Sequence, residues 1–202
     1  MDRVCTDRTS WLAPVLVLLL AGVACRAAPS APSTPALETP TFGAASPQVE
    51  LLTFIDWECP FSRQEGAALR DLVAHFPTQL QVRVLYWPLD LHPHSLLAAR
   101  AAVAASEQQA FPTFWQKWLQ PDASLSREAL ITWAVEAGLD AKRFVRVMED
   151  PRTQARVARD VAIGHALNVT GTPSFLLNGK LLTGQQSLAA LKSLNLYFFS
   201  KY

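Results

Sequence analysis

The chain has 202 residues, half of them hydrophobic, and a formal net charge of +1. With no run of Lys and Arg, this near-neutral balance argues against nucleic acid as a partner. The stretch after about residue 47 is long enough for one domain with a substantial core.

Residues 1–25 predict an export signal. Arg3 supplies positive charge, and the apolar stretch from Trp11 is short for a membrane-spanning helix. It ends in Leu-Ala-Gly-Val-Ala-Cys, where small residues precede Cys25 as in a bacterial lipobox. Gly22 stands where a leucine is usual, so cleavage by an ordinary signal peptidase is the alternative. We expect an exported protein of the periplasm or cell envelope, a lipoprotein anchored to a membrane if Cys25 is acylated.

Residues 26–48 are rich in Ala, Pro, Ser and Thr and have no periodic apolar face. Such a segment buries too little surface to offset its ordering entropy, so we expect a disordered tether. The tether would hold a domain of residues 49–202 away from the membrane surface.

The first elements of that domain predict a parallel strand pair. The apolar run 49–56 predicts a buried strand, and an apolar stripe from Leu69 to Phe76 predicts the helix after it. Residues 81–87 predict a second strand. A strand–helix–strand unit of this length makes a right-handed crossover, so these two strands should run parallel.

The rest of the domain predicts helices and then a hairpin. The region of about residues 94–167 is helical in pattern, with helix starts expected at Ser95, Ser126, Asp140 and Asp150. Strands follow on either side of an Asn-Gly turn at 178–179, and a final amphipathic helix closes the chain. The order is β-α-β, a helical insertion, then β-β-α, which is an α/β fold.

The first strand leads into the motif Cys59-Pro60-Phe61-Ser62, which begins the first helix. At such a junction the free backbone N–H groups and the helix dipole favour a thiolate. Pro60 fits the first helical turn, where its missing N–H costs nothing. Ser62 can donate a hydrogen bond to the thiolate, but it cannot attack a mixed disulfide.

Counting cysteines makes Cys59 the one free thiol of the mature domain. Cys5 leaves with the signal, and Cys25 is either acylated or lost. Exported proteins normally pair their cysteines, so an unpaired one needs a reason. Its position after a strand, beside Pro60, favours an exposed and reactive thiol over a buried inert one.

Three segments in order resemble the DsbA family of exported thiol-disulfide oxidoreductases. FIDWECPFS is similar to the family's strand and Cys-Pro-x-Cys motif, and VTGTPSFLLNG to its Gly-Thr-Pro hairpin. WAVEAGLDAKRF matches the Gly-Leu-Asp helix break of the family's helical insertion. The resemblance covers nearly everything after residue 48. It implies a thioredoxin-like fold with an inserted helical subdomain. The chemistry that it implies requires no cofactor.

The resemblance also implies roles for individual residues. Cys59 would be the attacking thiol, and Pro173 the cis-proline that faces it. Thr172 would offer backbone groups to an extended polypeptide or a cysteine-containing protein substrate. Without the resemblance, Thr172-Pro173 is a plain turn before a strand.

Ser62 stands where the family has its second cysteine, so a stored disulfide at this motif is not available. Attack on a substrate disulfide needs only a thiolate and a leaving thiol, so Cys59 can still form mixed disulfides. Release would then require a substrate thiol, a small thiol or a reducing partner. Such monothiol chemistry suits isomerisation, or the reduction of glutathione-type mixed disulfides.

Residues beside the motif leave alternatives open. Arg63 favours the thiolate and Glu58 disfavours it. Trp57 is predicted either to contact substrate or to pack in the core. Asp56 is either an acid that moves protons for the cysteine motif or an ordinary turn residue at the end of a strand.

No metal site is expected. The segment His92-Pro93-His94 has no spaced third ligand, so it predicts a loop before a helix.

Three functions remain open at this stage. The first is a monothiol oxidoreductase or isomerase that works through an exposed Cys59. The second is a redox-inactive polypeptide-binding module that uses the groove at Thr172-Pro173. The third is an oxidant sensor whose single thiol is modified without turnover of disulfides.

Overall fold

The computed structural model describes residues 39–177, 179–186 and 189–193. In this part of the chain a five-stranded sheet has the order β1-β3-β2-β4-β5. Its strands are β1 (Thr41–Gly43), β2 (Val49–Ile55), β3 (Leu80–Tyr86), β4 (Ser174–Leu177) and β5 (Lys180–Thr183). The helices are α1 (Pro60–His75), α2 (Ser95–Ser106), α3 (Phe111–Trp118), α4 (Arg127–Glu136), α5 (Ala141–Glu149) and α6 (Pro151–Ala166). Residues 189–193 are also helical.

The central pair of strands is parallel, as the sequence predicts. β2 and β3 run side by side from Val49 opposite Leu80 to Ile55 opposite Tyr86, with α1 as the crossover. β4 lies antiparallel on the other side of β2, and β5 pairs antiparallel with β4. Helices α2 to α6 all lie between β3 and β4 in the chain. The α/β architecture with an inserted helical region is therefore confirmed.

The edge strand β1 corrects the prediction for the tether. That segment was expected to run to residue 48, but Thr41–Gly43 pairs antiparallel with β3. Phe42 packs on the rings of Phe111 and Trp115, with centroids at 6.5 and 5.1 Å. A strand of three residues is too short to give a periodic signal in the sequence, so only its pairing reveals it.

The core fills both faces of the sheet because neighbouring strand residues point in opposite directions. Ile55 belongs to the larger cluster, together with buried residues of α1 and of the inserted helices. Phe54 belongs to a smaller cluster with Leu85 and Trp87, on the face where α6 packs. Gly164 of α6 allows this packing, because a Cβ there would overlap the Trp87 ring.

An aromatic cluster joins the inserted helices to the sheet. Trp57 lies two residues after the end of β2 and contacts the rings of Phe111, Phe114, Trp115 and Trp118. The indole Nε1 of Trp118 donates to the carbonyl oxygen of Trp57 at 2.7 Å. The cluster therefore anchors the residue that lies two positions before Cys59.

Three of the four predicted helix caps are confirmed. The side chains of Ser126, Asp140 and Asp150 each accept a backbone N–H in the first turn of their helix. The prediction for Ser95 is wrong. The N-cap of α2 is His94, which makes no side-chain cap bond, and Ser95 is the first helical residue.

Several predictions lie outside the described residues: the export signal, Cys25, the tether to residue 38, and Asn178. The beginning of the final helix at Ser187 and its Leu188 and Leu194 also lie outside them. Among the helices that are described, none has both the length and the apolar character to cross a membrane.

Candidate functional site

Cys59 is the N-cap of α1 and lies just after the carboxyl end of β2. Pro60 starts the helix, and no acidic residue lies in its first turn. The free backbone N–H groups of that turn therefore lie beside the cysteine with no acidic side chain of the same turn to oppose them. The sequence prediction of this position is confirmed.

The prediction that Cys59 is exposed is wrong. Only 4% of the residue is accessible, and its Sγ lies 3.7 Å from the carbonyl oxygen of Thr172. The loop before β4 therefore covers the thiol. This contact joins residues 113 positions apart in the chain, so local sequence could not reveal it.

The loop that covers the thiol contains the proline expected there. The Thr172–Pro173 peptide bond is cis, as the resemblance implied. The carbonyl of Pro173 accepts the N–H of Gly184 at 2.8 Å, and the Ser174 hydroxyl donates to Gly171 at 2.6 Å. Pro173 is buried and Thr172 is partly exposed beside Cys59. Thr172 therefore lies at the edge of the thiol's surroundings.

Ser62 is fully buried one helical turn beyond Cys59. Its Oγ accepts the backbone N–H of Asp56 at 3.3 Å, which is the hydrogen bond described for this side chain. Ser62 thus ties α1 to the end of β2. Its expected donation to the thiolate stays a prediction. Within the described residues Cys59 is the free cysteine, and no second thiol lies beside it.

The side chains flanking the motif take separate positions. Trp57 is fully buried, which decides for core packing over substrate contact. Phe61, two residues after Cys59 in the chain, is 54% exposed. Arg63 was expected to favour the thiolate, but its guanidinium donates to the carbonyls of Gln120 and Ala123. It therefore fastens α1 to the loop after α3.

Asp56 and Glu58 both bond to the loop between β3 and α2. Asp56 is fully buried and accepts the imidazole Nδ1 of His92 at 2.7 Å. Glu58 accepts the Nδ1 of His94 at 3.0 Å. Burial raises the pKa of Glu58, but hydrogen bonds and charge from His94 leave it below its ordinary value.

For these two histidines the sequence predicts only a loop before a helix. A signal was present in the matched spacing, because the two acids and the two histidines are each two residues apart. No group of three or more such side chains suited to hold a metal occurs in the described part of the chain.

Glu65 is a second buried acid that the sequence did not reveal. It lies on α1 and is 2% accessible, and its Oε2 accepts the N–H of Gln186 at 3.1 Å. Its Oε1 is buried with no hydrogen-bond partner. Burial raises the pKa of Glu65 to about 7, although the bond from Gln186 opposes the shift.

A groove of about 460 Å³ runs beside the motif, between α1 and the loop after α3. It is lined by Glu58, Pro60, Arg63, Gln64, Ala67, Leu119 and Pro121. Its polar lining residues, Glu58, Arg63 and Gln64, lie on and just before α1, whereas Leu119 and Pro121 make the opposite wall apolar.

Curated relatives that are similar to this chain in sequence include sodium/proton antiporters. The chain is 35% identical over 142 residues to the Na(+)/H(+) antiporter NhaA of Herminiimonas arsenicoxydans, which covers 70% of this chain and 22% of the antiporter. It is 34% identical over 146 residues to NhaA 3 of Salinispora tropica, covering 72% and 22%. The chain thus spans less than a quarter of the length of these relatives.

Solved structures share the fold. A thioredoxin-like oxidoreductase from Silicibacter pomeroyi has a TM-score of 0.73 and 28% identity, covering 81% of this chain and 93% of that one. A periplasmic thioredoxin-like protein from Salmonella enterica serovar Typhimurium has a TM-score of 0.73 at 21% identity, covering 83% and 93%. The catalytic domain of Proteus mirabilis ScsC has a TM-score of 0.72 and 16% identity, covering 83% of this chain and 92% of that one.

Residues 50–194 match the DSBA-like thioredoxin domain. This match takes in β2, the cysteine motif, the inserted helices, the cis-proline loop and the terminal hairpin. The chain therefore belongs to the DSBA-like thioredoxin domain family, a family of thiol-disulfide oxidoreductases.

Proposed function

We propose that this chain is a cell-envelope thiol-disulfide oxidoreductase or isomerase that works through Cys59 alone. The observation that carries the proposal is the contact between the Cys59 Sγ and the Thr172 carbonyl, in a site with no second thiol among the described residues. The helix N-terminus supports the thiolate, and the cis-proline loop offers backbone groups to an extended substrate.

The proposed cycle has two balanced exchanges. The Cys59 thiolate attacks a substrate disulfide, forms a mixed disulfide and releases one substrate thiolate. A second thiolate, from the substrate or from a small thiol, then attacks the mixed disulfide and restores Cys59. The chain itself is neither oxidised nor reduced over the cycle. Disulfides are rearranged among substrates, or reduced when an external thiol supplies the electrons.

The expected substrates are cysteine-containing polypeptides and mixed disulfides with small thiols. We further propose export, with lipid anchoring through Cys25. Cys59 would be the attacking thiol, Ser62 would donate a hydrogen bond to its thiolate, and Pro60 and Phe61 would support the site. Thr172 and Pro173 would line the substrate groove.

The test is covalent trapping in the full chain. Oxidised glutathione and a disulfide-containing peptide are each added, and the adduct is located by mass spectrometry of proteolytic fragments. We expect an adduct at Cys59 that a thiol releases, none there in Cys59→Ser, and an unchanged yield in Glu128→Gln, which changes an exposed side chain of α4. An unmodified Cys59 in the wild type would contradict the proposal.

The burial of Cys59 favours one alternative, a redox-inactive module that binds extended polypeptide at Thr172-Pro173. In that case Cys59→Ser would bind a cysteine-free peptide as tightly as the wild type does. The wild type would form no adduct with either disulfide.

A further inference from the structure

The carboxylate of Asp56 connects the cysteine loop to the loop between β3 and α2. Its Oδ1 accepts the backbone N–H of Glu58 at 2.7 Å and that of Cys59 at 3.2 Å. Its Oδ2 accepts the N–H of Leu89 at 2.8 Å and the Nδ1 of His92 at 2.7 Å. Four donors thus converge on one fully buried side chain. Such a network fixes its members in one arrangement, because each unmade bond inside the protein is costly.

His92 is the one side-chain donor in this network. Both oxygens of Asp56 accept backbone N–H groups, so the role that the network leaves to Nδ1 of His92 is that of a hydrogen donor. The side chain is 17% exposed, and its partner is not exposed at all. Loss of this donor would leave a lone pair of Oδ2 unmatched in a site that water reaches poorly.

The pair formed by Glu58 and His94 bridges the same two loops, but it is more exposed to solvent than the pair of Asp56 and His92. Nδ1 of His94 lies 3.0 Å from Glu58 Oε1, and the His94 N–H donates to Oε2 at 2.7 Å. Half of the His94 side chain is exposed, so solvent competes for its interaction. Removing the His94 ring also leaves the backbone bond in place. This exposed pair is therefore a matched control for the buried one.

We infer that His92 is a positioning residue for Cys59 that acts through Asp56. The ring holds Oδ2, and the same carboxylate holds the N–H of Cys59 at the start of α1 through Oδ1. The importance of this role in the cell rests on the proposed thiol chemistry. The role itself can be tested without that chemistry, because the reactivity of Cys59 can be measured with any thiol reagent.

The test compares His92→Ala, His92→Asn and His92→Gln in the full chain, with His94→Ala as the control. An Asn amide nitrogen can take the place of Nδ1, whereas a Gln amide is one methylene longer and reaches past it. For each variant, two rate constants are measured at Cys59: alkylation by iodoacetamide and mixed-disulfide formation with oxidised glutathione. Adducts at Cys59 are quantified by mass spectrometry, which separates them from those at other cysteines.

We expect His92→Ala and His92→Gln to change both rate constants by about tenfold, the effect of one hydrogen bond to a charged group. His92→Asn and His94→Ala should stay within about threefold of the wild type. The rescue by Asn separates positioning from loss of packing, because Asn and Gln remove the same ring. If His92→Ala does not fold, the Asn and Gln variants still decide the matter.

Equal rate constants in His92→Asn and His92→Gln would overturn the inference, as would wild-type rates in His92→Ala. Failure of the proposed function has a different signature. In that case wild-type Cys59 reacts with iodoacetamide but not with oxidised glutathione, and the alkylation rates still test the role of His92.

Discussion

The residue at position 62 decides which thiol chemistry this site can perform. Ser62 is buried in the first turn of α1 and accepts the N–H of Asp56. Its hydroxyl cannot displace a thiol from a mixed disulfide, so the proposed cycle requires an external thiol for release at Cys59. The proposed exchange chemistry thus follows from one side chain within a fold shared with oxidoreductases.

Ser62→Cys should add dithiol chemistry to the site. Positions 59 and 62 are neighbours on one face at the start of the helix, within reach of a disulfide. We expect the oxidised variant to have neither thiol free at the motif and to oxidise a reduced peptide, which the wild type should not do. Thiol titration and peptide mapping measure this, with Ser62→Ala as the control. Two free thiols after oxidation would contradict the prediction.

Glu65 makes stability depend on pH. Its pKa is raised from the ordinary value of 4.5 to about 7 because folding buries the carboxyl. Between these values the folded chain binds the proton more tightly than the unfolded chain does. The resulting stabilisation is full below the lower value and is lost as the pH rises through about 7.

Glu65→Gln should remove this pH dependence, since the amide keeps an acceptor for the N–H of Gln186 and carries no charge. We expect the variant to unfold at a higher temperature than the wild type at about pH 8 and at a similar temperature near pH 5. Thermal unfolding followed by circular dichroism measures both. The exposed Glu128→Gln in α4 is the control. A variant no more stable than the wild type at the higher pH would refute the explanation.

At the scale of elements, the contact between α1 and α3 fixes the helix that begins at Cys59. Gly66 lies on α1 under the rings of Trp115 and Trp118, and Trp115 Nε1 donates to its carbonyl at 3.4 Å. A Cβ at Gly66 would lie 2.7 Å from Trp118 Cζ3. Only the absence of a side chain lets the helices approach so closely.

Gly66→Ala should therefore destabilise the chain. The added methyl group overpacks the aromatic cluster, and we expect the free energy of unfolding to fall by about 1–3 kcal/mol. Denaturant unfolding followed by tryptophan fluorescence measures the change. Gly171→Ala is the matched control, because a Cβ there meets no atom within 4 Å. An equal effect of both substitutions would show that the close packing is not the cause.

At the scale of the whole molecule, β1 completes the sheet on the side away from the hairpin. The carbonyl of Pro40 accepts the N–H of Val84 at 2.9 Å, and Ala44 N–H donates to the Leu80 carbonyl at 2.8 Å. Phe42 closes the aromatic cluster from this edge. Residues 39–44 are therefore part of the folded unit, and β3 would be an open edge without them.

A chain that begins at residue 47 should be less stable than one that begins at residue 39. It loses the β1 hydrogen bonds and the buried area of Phe42, which together contribute about 2 kcal/mol to the free energy of unfolding. The free energy of unfolding in urea measures the difference. Phe42→Ala in the longer chain should reproduce part of it. Equal stability of the two chains would contradict the structural role of β1.

The sequence by itself determined the parallel pair β2 and β3, the terminal hairpin strands, most helix caps and the position of Cys59. These features depend on local periodicity and on capping and turn residues, which act over a few positions of the chain. The absence of a second cysteine at position 62 was equally plain in the sequence.

Only the tertiary structure decided the burial of Cys59 under Thr172, the pairing of Asp56 with His92, and the burial of Glu65. Each involves segments that are far apart in the chain, and no local pattern encodes such contacts. The strand β1 belongs with them, because three residues gain a strand conformation only from the partner they pair with. Local sequence therefore determined the elements other than β1, and long-range packing determined β1 and the surroundings of the thiol.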